Sequence, residues 1–403
     1  MIDKDFYKKL IFKKLQEISS EIIQNELVTI SLMEGVPGSI MFCDGYYSLT
    51  GQSKVLHARN EYLRRLLDLL ENIEDFSLSY CDGLVGSLSF IRLFSFKNNL
   101  NIYDFDQELD DYLFEVMTDN ISNGKYDFLH GGMGIFWYYV LRIKTSSDVI
   151  EKQRLINYLE RGLQILDDVA IRTKDGYSWK TTITNPGSIN EEIFNMGFAH
   201  GQPGILTAVS IASLELDSNK TAKRIIKESS NFILLRANEE NQTQFQSYFS
   251  AARQFPFDSR LGWCYGDLSA SIALRFAGNS LKSKELQDRS EKIAIRSTSR
   301  NSVAETSVFD GGLCHGSAGL SHMYGRFHDF TANVVFKEAQ IFWMKKTLEL
   351  GTSTDGIAGF RTHVRDDSWG KDFGLLKGVA GIGLAMISFI NSDKNWDKLL
   401  MLR

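Results

Sequence analysis

Cys264, in Trp263-Cys264-Tyr265-Gly266, and the adjacent pair Cys314-His315, directly before Gly316, are the residues best suited to hold a metal. Thiolate and imidazole are the ligand types that a borderline-soft, tetrahedral zinc ion prefers. The chain has no Cys-x-x-Cys pair, which excludes a zinc finger or ribbon. Three protein ligands leave one coordination position open, as in a catalytic zinc site and unlike a closed structural one. Taken alone, Cys314-His315 reads equally well as a buried cysteine beside a capping histidine. Cys264 at the equivalent place in a neighbouring repeat favours the metal.

Two thiolate ligands temper a metal's Lewis acidity, so the site suits thiol activation better than water hydrolysis. Coordination by zinc deprotonates a thiol, and the open position could hold a substrate cysteine as its thiolate. The electrophile then needs an acid or base nearby. His200, directly before Gly201, is the candidate for that role. Asp127, four residues before Gly131, could orient the imidazole or stabilise its charged form. Arg260, four residues before Cys264, could stabilise a developing enolate oxygen. Capping, turn and surface roles are the structural alternatives for all three. His130 precedes a glycine turn as His200 does and could line the same cavity. His57, His322, His328 and His363 have no repeat-defined position that would bring them to a metal. Asp310 reads as a turn residue.

These residues lie far apart in the chain, and an internal repeat gives them a reason to meet. A Gly-x-x-Gly step followed by an apolar stretch begins at Gly35, Gly83, Gly131, Gly201, Gly316 and Gly378. A further copy from Gly266 has Ser269 in place of the second glycine. Between the copies lie amphipathic segments, such as 54–73, 149–166, 219–235, 281–296 and 333–350, whose apolar residues recur every three to four positions. Each unit therefore reads as an outer amphipathic helix, a glycine turn and an inner apolar helix. An open solenoid would spread the candidate ligands along its length, whereas a ring aims all seven turns at one cavity. The expected fold is all-α, an α/α toroid with a double ring of seven inner and seven outer helices. It is expected to span residues 1–403 as one domain. Segments 171–195 and 352–374, rich in Thr, Gly, Asn and Asp, interrupt the helical pattern and read as short strands and loops. The first of them is the expected small β-rich insertion.

The composition suits a soluble globular protein, with 43% hydrophobic and 24% charged residues. The net charge of −5 and the lack of a dense Lys/Arg run argue against a nucleic-acid face. Four cysteines make no disulfide framework. Cys43 and Cys81 read as small buried hydrophobes. The amino terminus is too charged for the apolar core of a secretory signal. The most apolar late stretch, 375–390, contains Lys377, is too short to span a bilayer, and reads as a core helix. A cytoplasmic location is expected.

Trp263-Cys264-Tyr265-Gly266, Cys314-His315-Gly316 and Ala199-His200-Gly201, on a seven-fold glycine array, resemble the lanthionine synthetase C-like (LanC) family. The resemblance runs from the Gly35 turn to the Gly378 turn, and the length is similar to that of stand-alone bacterial cyclases. It implies an α/α toroid with one zinc ion per chain. Its reaction would be Michael-type addition of a peptide Cys thiol to dehydroalanine or dehydrobutyrine, giving lanthionine or methyllanthionine. Cys264, Cys314 and His315 would be the zinc ligands and His200 the group that protonates the enolate. Asp127 would be the family's acidic partner, and Arg260 the arginine ahead of the Trp-Cys motif. The 171–195 segment is similar to the small extension domain of the bacterial cyclases. The implied partners are a dehydrated lanthipeptide precursor (leader plus core), a dehydratase and an ABC transporter in a membrane-associated complex. That complex would place the protein peripherally at the inner face of the membrane.

Two departures from the family pattern are the GDLS step at Gly266, and Glu34 and Asp82 before the first two glycines. The alternatives are an enzyme adding glutathione to dehydrated residues in proteins, and a non-catalytic, zinc-stabilised peptide-binding scaffold.

Overall fold

The computed structural model describes residues 4–72, 77–100, 107–181, 192–217, 219–252, 254–364 and 368–403. In chain order the helices are α1 (Lys4–Ile23), α2 (Val36–Thr50), α3 (Ser53–Glu71), α4 (Leu84–Asn98) and α5 (Gln107–Ser122). They continue with α6 (Gly132–Thr145), α7 (Val149–Asp168), α8 (Gln202–Ala212), α9 (Lys220–Leu234) and α10 (Asp267–Leu281). The last are α11 (Lys284–Ser297), α12 (Val303–Thr306), α13 (Ser317–Thr331), α14 (Val334–Leu350), α15 (Val379–Asn391) and a 3-10 helix, Asn395–Leu400.

The repeat governs this order. Each of the seven expected inner helices, α2, α4, α6, α8, α10, α13 and α15, starts directly after a repeat glycine. Their sequences are mostly apolar or small, with few charged residues, as helices packed inside the fold must be. All eleven residues of α8 are buried, as is α15 from Val379 to Ser388. The apolar stretch 375–390 is thus part turn and part helix, because Gly378 caps α15.

Outer helices are amphipathic and begin differently. Asp148, Asn219, Ser283 and Asn333 each accept a hydrogen bond at the start of α7, α9, α11 and α14. Such side-chain caps satisfy N–H groups that the first turn leaves unpaired. The glycine caps of α2, α6, α8, α10, α13 and α15 make no side-chain bond. In five copies the turn closes on itself: the first helical N–H donates to the carbonyl seven residues earlier. The pairs are Val36 to Thr29, Leu84 to Ser77, Gly132 to Lys125, Ser317 to Asp310 and Val379 to Asp372, at 2.9 to 3.1 Å.

The helices fall into two compact units, one of residues 1–77, 81–87 and 301–403, the other of 78–80 and 88–300. In the first unit, α2 packs on α3, α13 on α14, and α15 on both α2 and α13. The first and seventh inner helices are therefore neighbours, and α1 packs against α15, α14 and α2. A buried ion cluster fastens the carboxyl end there. Asp397 receives Arg326 Nη2 at 2.6 Å and His322 Nε2 at 2.7 Å, and Trp396 lies against the His322 ring. His322, unassigned by the repeat, is a buried structural group whose pKa burial holds low.

In the second unit, α8 packs on α10, α9 and α6. Short antiparallel strands interrupt the helices. They are β1 (Ile171–Thr173) with β2 (Gly176–Ser178), and β3 (Phe194–Asn195) with β4 (Tyr248–Phe249). Strands β1 to β3 fall in the expected 171–195 segment, of which 182–191 lie outside the described residues. Strand β4 was not visible in sequence, where Tyr248-Phe249 has no flanking alternation. In the first unit β5 (Thr362–His363) pairs with β6 (Trp369–Gly370), inside the other anticipated segment. No helix among the described residues is long and apolar enough to cross a membrane.

Candidate active site

Each candidate residue sits at the amino-terminal mouth of an inner helix, where backbone N–H groups and the helix dipole favour negative charge. In the second unit three such mouths share an aromatic floor. Phe128 follows Asp127, Phe198 lies two residues before His200, and Trp263 precedes Cys264. Trp263 is fully buried, and its ring centroid lies 5.8 Å from that of Phe198 and 6.4 Å from that of Phe128. The Phe198 N–H also donates to the Cys264 carbonyl at 2.8 Å, tying the His200 turn to the cysteine turn. Asn195 adds a second tie, donating to the Tyr265 hydroxyl at 2.9 Å.

Asp127 divides its two oxygens. Oδ1 accepts from the backbone N–H groups of Leu129 and His130, at 2.7 and 2.9 Å, which fixes the carboxylate within its turn. Oδ2 lies 2.5 Å from His200 Nδ1, a charge-assisted hydrogen bond. His200 and Asp127 side chains are about one-third exposed, at 32% and 28%. Burial works against the charged imidazole, but the Asp127 hydrogen bond, the Asp127 charge and the charge of Cys264 together raise the His200 pKa. His130 is exposed, with its ring parallel to that of His200 at 6.0 Å between centroids.

The fifth turn departs from the others as its GDLS sequence suggested. Gly266 has φ +99°, whereas the caps of α2, α6, α8, α13 and α15 lie between −93° and −152°. Only glycine adopts this conformation without strain. Ser269 fills the second glycine's place, buried, with its hydroxyl donating to Gly266 O at 2.8 Å. Behind the turn, the buried pair Asp267–Arg300 closes at 3.0 Å, and Arg300 also donates to Ser259 O at 2.6 Å. Arg260, next to Ser259, projects an exposed guanidinium with no hydrogen-bond or ion-pair partner among the described residues.

In the first unit the turns are laced by a backbone ladder that sequence reasoning missed. The residue two before each cap glycine hands its N–H to its counterpart in the next turn. Cys314 donates to Leu376 O, Leu376 to Met33 O, and Met33 to Cys81 O, at 2.9 to 3.1 Å. Cys314 is thus held by main chain, and no side-chain pattern could have signalled it. Asp310 shapes the same turn, accepting from Gly312 N–H at 2.9 Å through Oδ1 and from His363 N–H at 2.9 Å through Oδ2.

The Sγ atoms of Cys264 and Cys314 and a ring nitrogen of His315 lie within 4.8 Å of one another, the thiols buried and the imidazole half-buried. Among the described residues this is the group of His, Cys or carboxylate side chains that could hold a metal ion. Asp127, His200 and Arg260 are not part of it.

The family described as lanthionine synthetase C-like protein matches residues 26–401. The chain belongs to this family. Among solved structures, this LanC-like chain is similar to the nisin cyclase, with a TM-score of 0.75, 19% identity and coverage of 97% of both chains. At that identity the likeness shows the fold, the all-α toroid class expected from the repeat. A cellobiose 2-epimerase from Bacillus thermoamylovorans is more distant, with a TM-score of 0.48, 12% identity and coverage of 96% of this chain and 100% of its own. No curated protein matches.

Proposed function

We propose that this LanC-like protein is a zinc-dependent lanthipeptide cyclase, joining Cys thiols of a dehydrated precursor to dehydroalanine or dehydrobutyrine as thioether rings. The observation that carries the proposal is the meeting of two thiols and an imidazole, within 4.8 Å, in a lanthionine synthetase C-like chain. The donor set suits zinc in type and number, and Cys264, Cys314 and His315 would hold one ion per chain with a position left over. When bound, zinc supplies a thiol held as its thiolate at neutral pH.

The chain's own residues then account for the rest of the reaction. A new C–S bond forms at the β-carbon of the dehydro residue as its C=C bond breaks. His200, whose pKa Asp127 helps to raise, donates its proton to the α-carbon. That proton balances the one lost by the thiol, so the peptide's mass does not change. Asp127 holds the ring at Nδ1 and leaves Nε2 for the substrate, because its other oxygen is committed to backbone. Arg260, exposed and unpaired, would meet the developing enolate oxygen. The precursor, and a dehydratase and ABC transporter acting with it at the inner face of the membrane, belong to the same proposal. So does a cytoplasmic location, and so does a single domain over residues 1–403 with a β-rich insertion near 171–195.

The test is incubation with a dehydrated precursor, thiol alkylation and mass spectrometry. Cyclised cysteines resist alkylation at unchanged mass. Cysteines that stay fully alkylated with every dehydrated peptide, while a dehydrated protein is modified by added glutathione, would favour the intermolecular enzyme instead.

A further inference from the structure

Outside the metal-ligand group, the first unit displays apolar surface with no evident structural use. Phe309, Val364 and Trp369 are 39%, 60% and 40% exposed. Scattered exposed hydrophobics are ordinary, but a contiguous group marks an interaction surface. This group is ordered. The Phe309 ring stacks on His363 with centroids 4.5 Å apart, His363 meets Trp369 edge-on at 5.3 Å, and the Arg361 guanidinium lies 5.0 Å over Trp369. The rings brace one another, so little conformational freedom is lost when a ligand lands on them.

The platform is joined to the turn that presents Cys314 and His315. Asp310 is the link, because one oxygen accepts from the His363 N–H of strand β5 and the other from Gly312 N–H of the turn. Phe309 is its chain neighbour, and Cys314 follows four residues later. Five residues of chain span at most about 18 Å, and an extended peptide advances about 3.3 Å per residue, so a peptide with its thiol at that turn can reach Phe309 within about five residues.

We propose that Phe309, His363 and Trp369 form a platform for apolar side chains flanking the reacting cysteine, selecting which cysteines the enzyme accepts. This rests on the cyclase reading for the presence of a peptide thiol at the Cys314-His315 turn. The partner is a peptide segment with apolar or aromatic residues beside Cys.

The probe is a short fluorescein-labelled peptide with Ile and Phe flanking one Cys, compared by anisotropy with a counterpart carrying Ser at the flanks, on the full-length zinc-loaded protein. Wild type should bind the apolar peptide about tenfold more tightly, the scale of one to two aromatic contacts. The F309A/W369A double variant should lose that preference at unchanged zinc content, and W369F should keep most of it. W369S, altered only on the exposed hairpin, serves if the double variant folds poorly, and should lose part of the preference. A folded, zinc-loaded variant that keeps the full preference overturns the platform. Wild type that cyclises a dehydrated peptide but shows no flank preference overturns the platform and leaves the cyclase. Wild type with the preference but no cyclisation sinks the cyclase and supports the surface.

Discussion

At the scale of residues, the Asp127–His200 contact decides the proton chemistry. Burial disfavours imidazolium, and the Asp127 hydrogen bond and charge, with the charge of Cys264, more than offset it, so the His200 pKa is raised from its ordinary value. A raised folded-state pKa adds stability that is present below the unfolded value and is lost as pH rises through the folded one. Proton donation to the α-carbon should be lost in the same direction. Asp127→Asn removes the charge that raises the pKa and turns one of its two acceptor oxygens into a donor. The alkaline limb of the kcat–pH profile should therefore move to lower pH in that variant; an unmoved limb would remove Asp127 from this role. Cys314→Ala should lower zinc, measured by atomic absorption, from about one per chain towards none. His200→Ala should retain the zinc while cyclisation falls on the order of 10²- to 10⁴-fold, the usual contribution of a general acid. Zinc retained by the first variant, or cyclisation by the second, would contradict these roles.

Elements position those residues through two kinds of helix start. The outer helices α7, α9, α11 and α14 begin on capping side chains and are replaceable one cap at a time. Inner helices begin on glycine turns whose backbones approach so closely that a Cβ has no room. A methyl group on Gly319 would sit 2.0 Å from Leu313 O, inside the turn that carries Cys314 and His315. Gly319→Ala should cost about 1–3 kcal/mol in urea unfolding, as overpacking does, and weaken zinc retention as the turn shifts. Asn333→Ala, at the α14 cap, should cost a similar amount, about 1 kcal/mol, with zinc unchanged. Equal zinc loss in both would show that the glycine turn has no special hold on the site.

At the scale of the whole molecule, the chain's ends meet within one unit. Helix α1 packs on α15, and Leu376 in the seventh turn bonds Met33 in the first. The carboxyl-terminal segment is anchored through Asp397, fully buried against Arg326 and His322. Asp397→Asn takes the close counter-charge from a buried guanidinium, leaving only Asp329 at 3.5 Å, and should cost about 3–5 kcal/mol, read as a lowered Tm and urea midpoint. A change below 1 kcal/mol would mean that water reaches Arg326 there.

Periodicity alone made the architecture legible. Glycine steps at recurring intervals, each followed by a mainly apolar stretch, determine seven largely buried helices with constrained starts, since such helices must bury that surface and a Cβ is crowded in those turns. The ligand-type residues could also be picked out, because each stands one or two places before such a glycine. Their holding groups could not. The Cys314–Leu376–Met33–Cys81 ladder is main chain and leaves no mark on side-chain pattern. The pairing of β3 with β4, the positive φ of Gly266 and the 2.5 Å approach of Asp127 to His200 join or bend segments that carry no mutual signal along the chain. Sequence determined which residues stand at the helix mouths, because local spacing and sterics decide that. Only tertiary structure decided which mouths face each other and which oxygen meets which nitrogen, because those depend on packing between segments tens of residues apart.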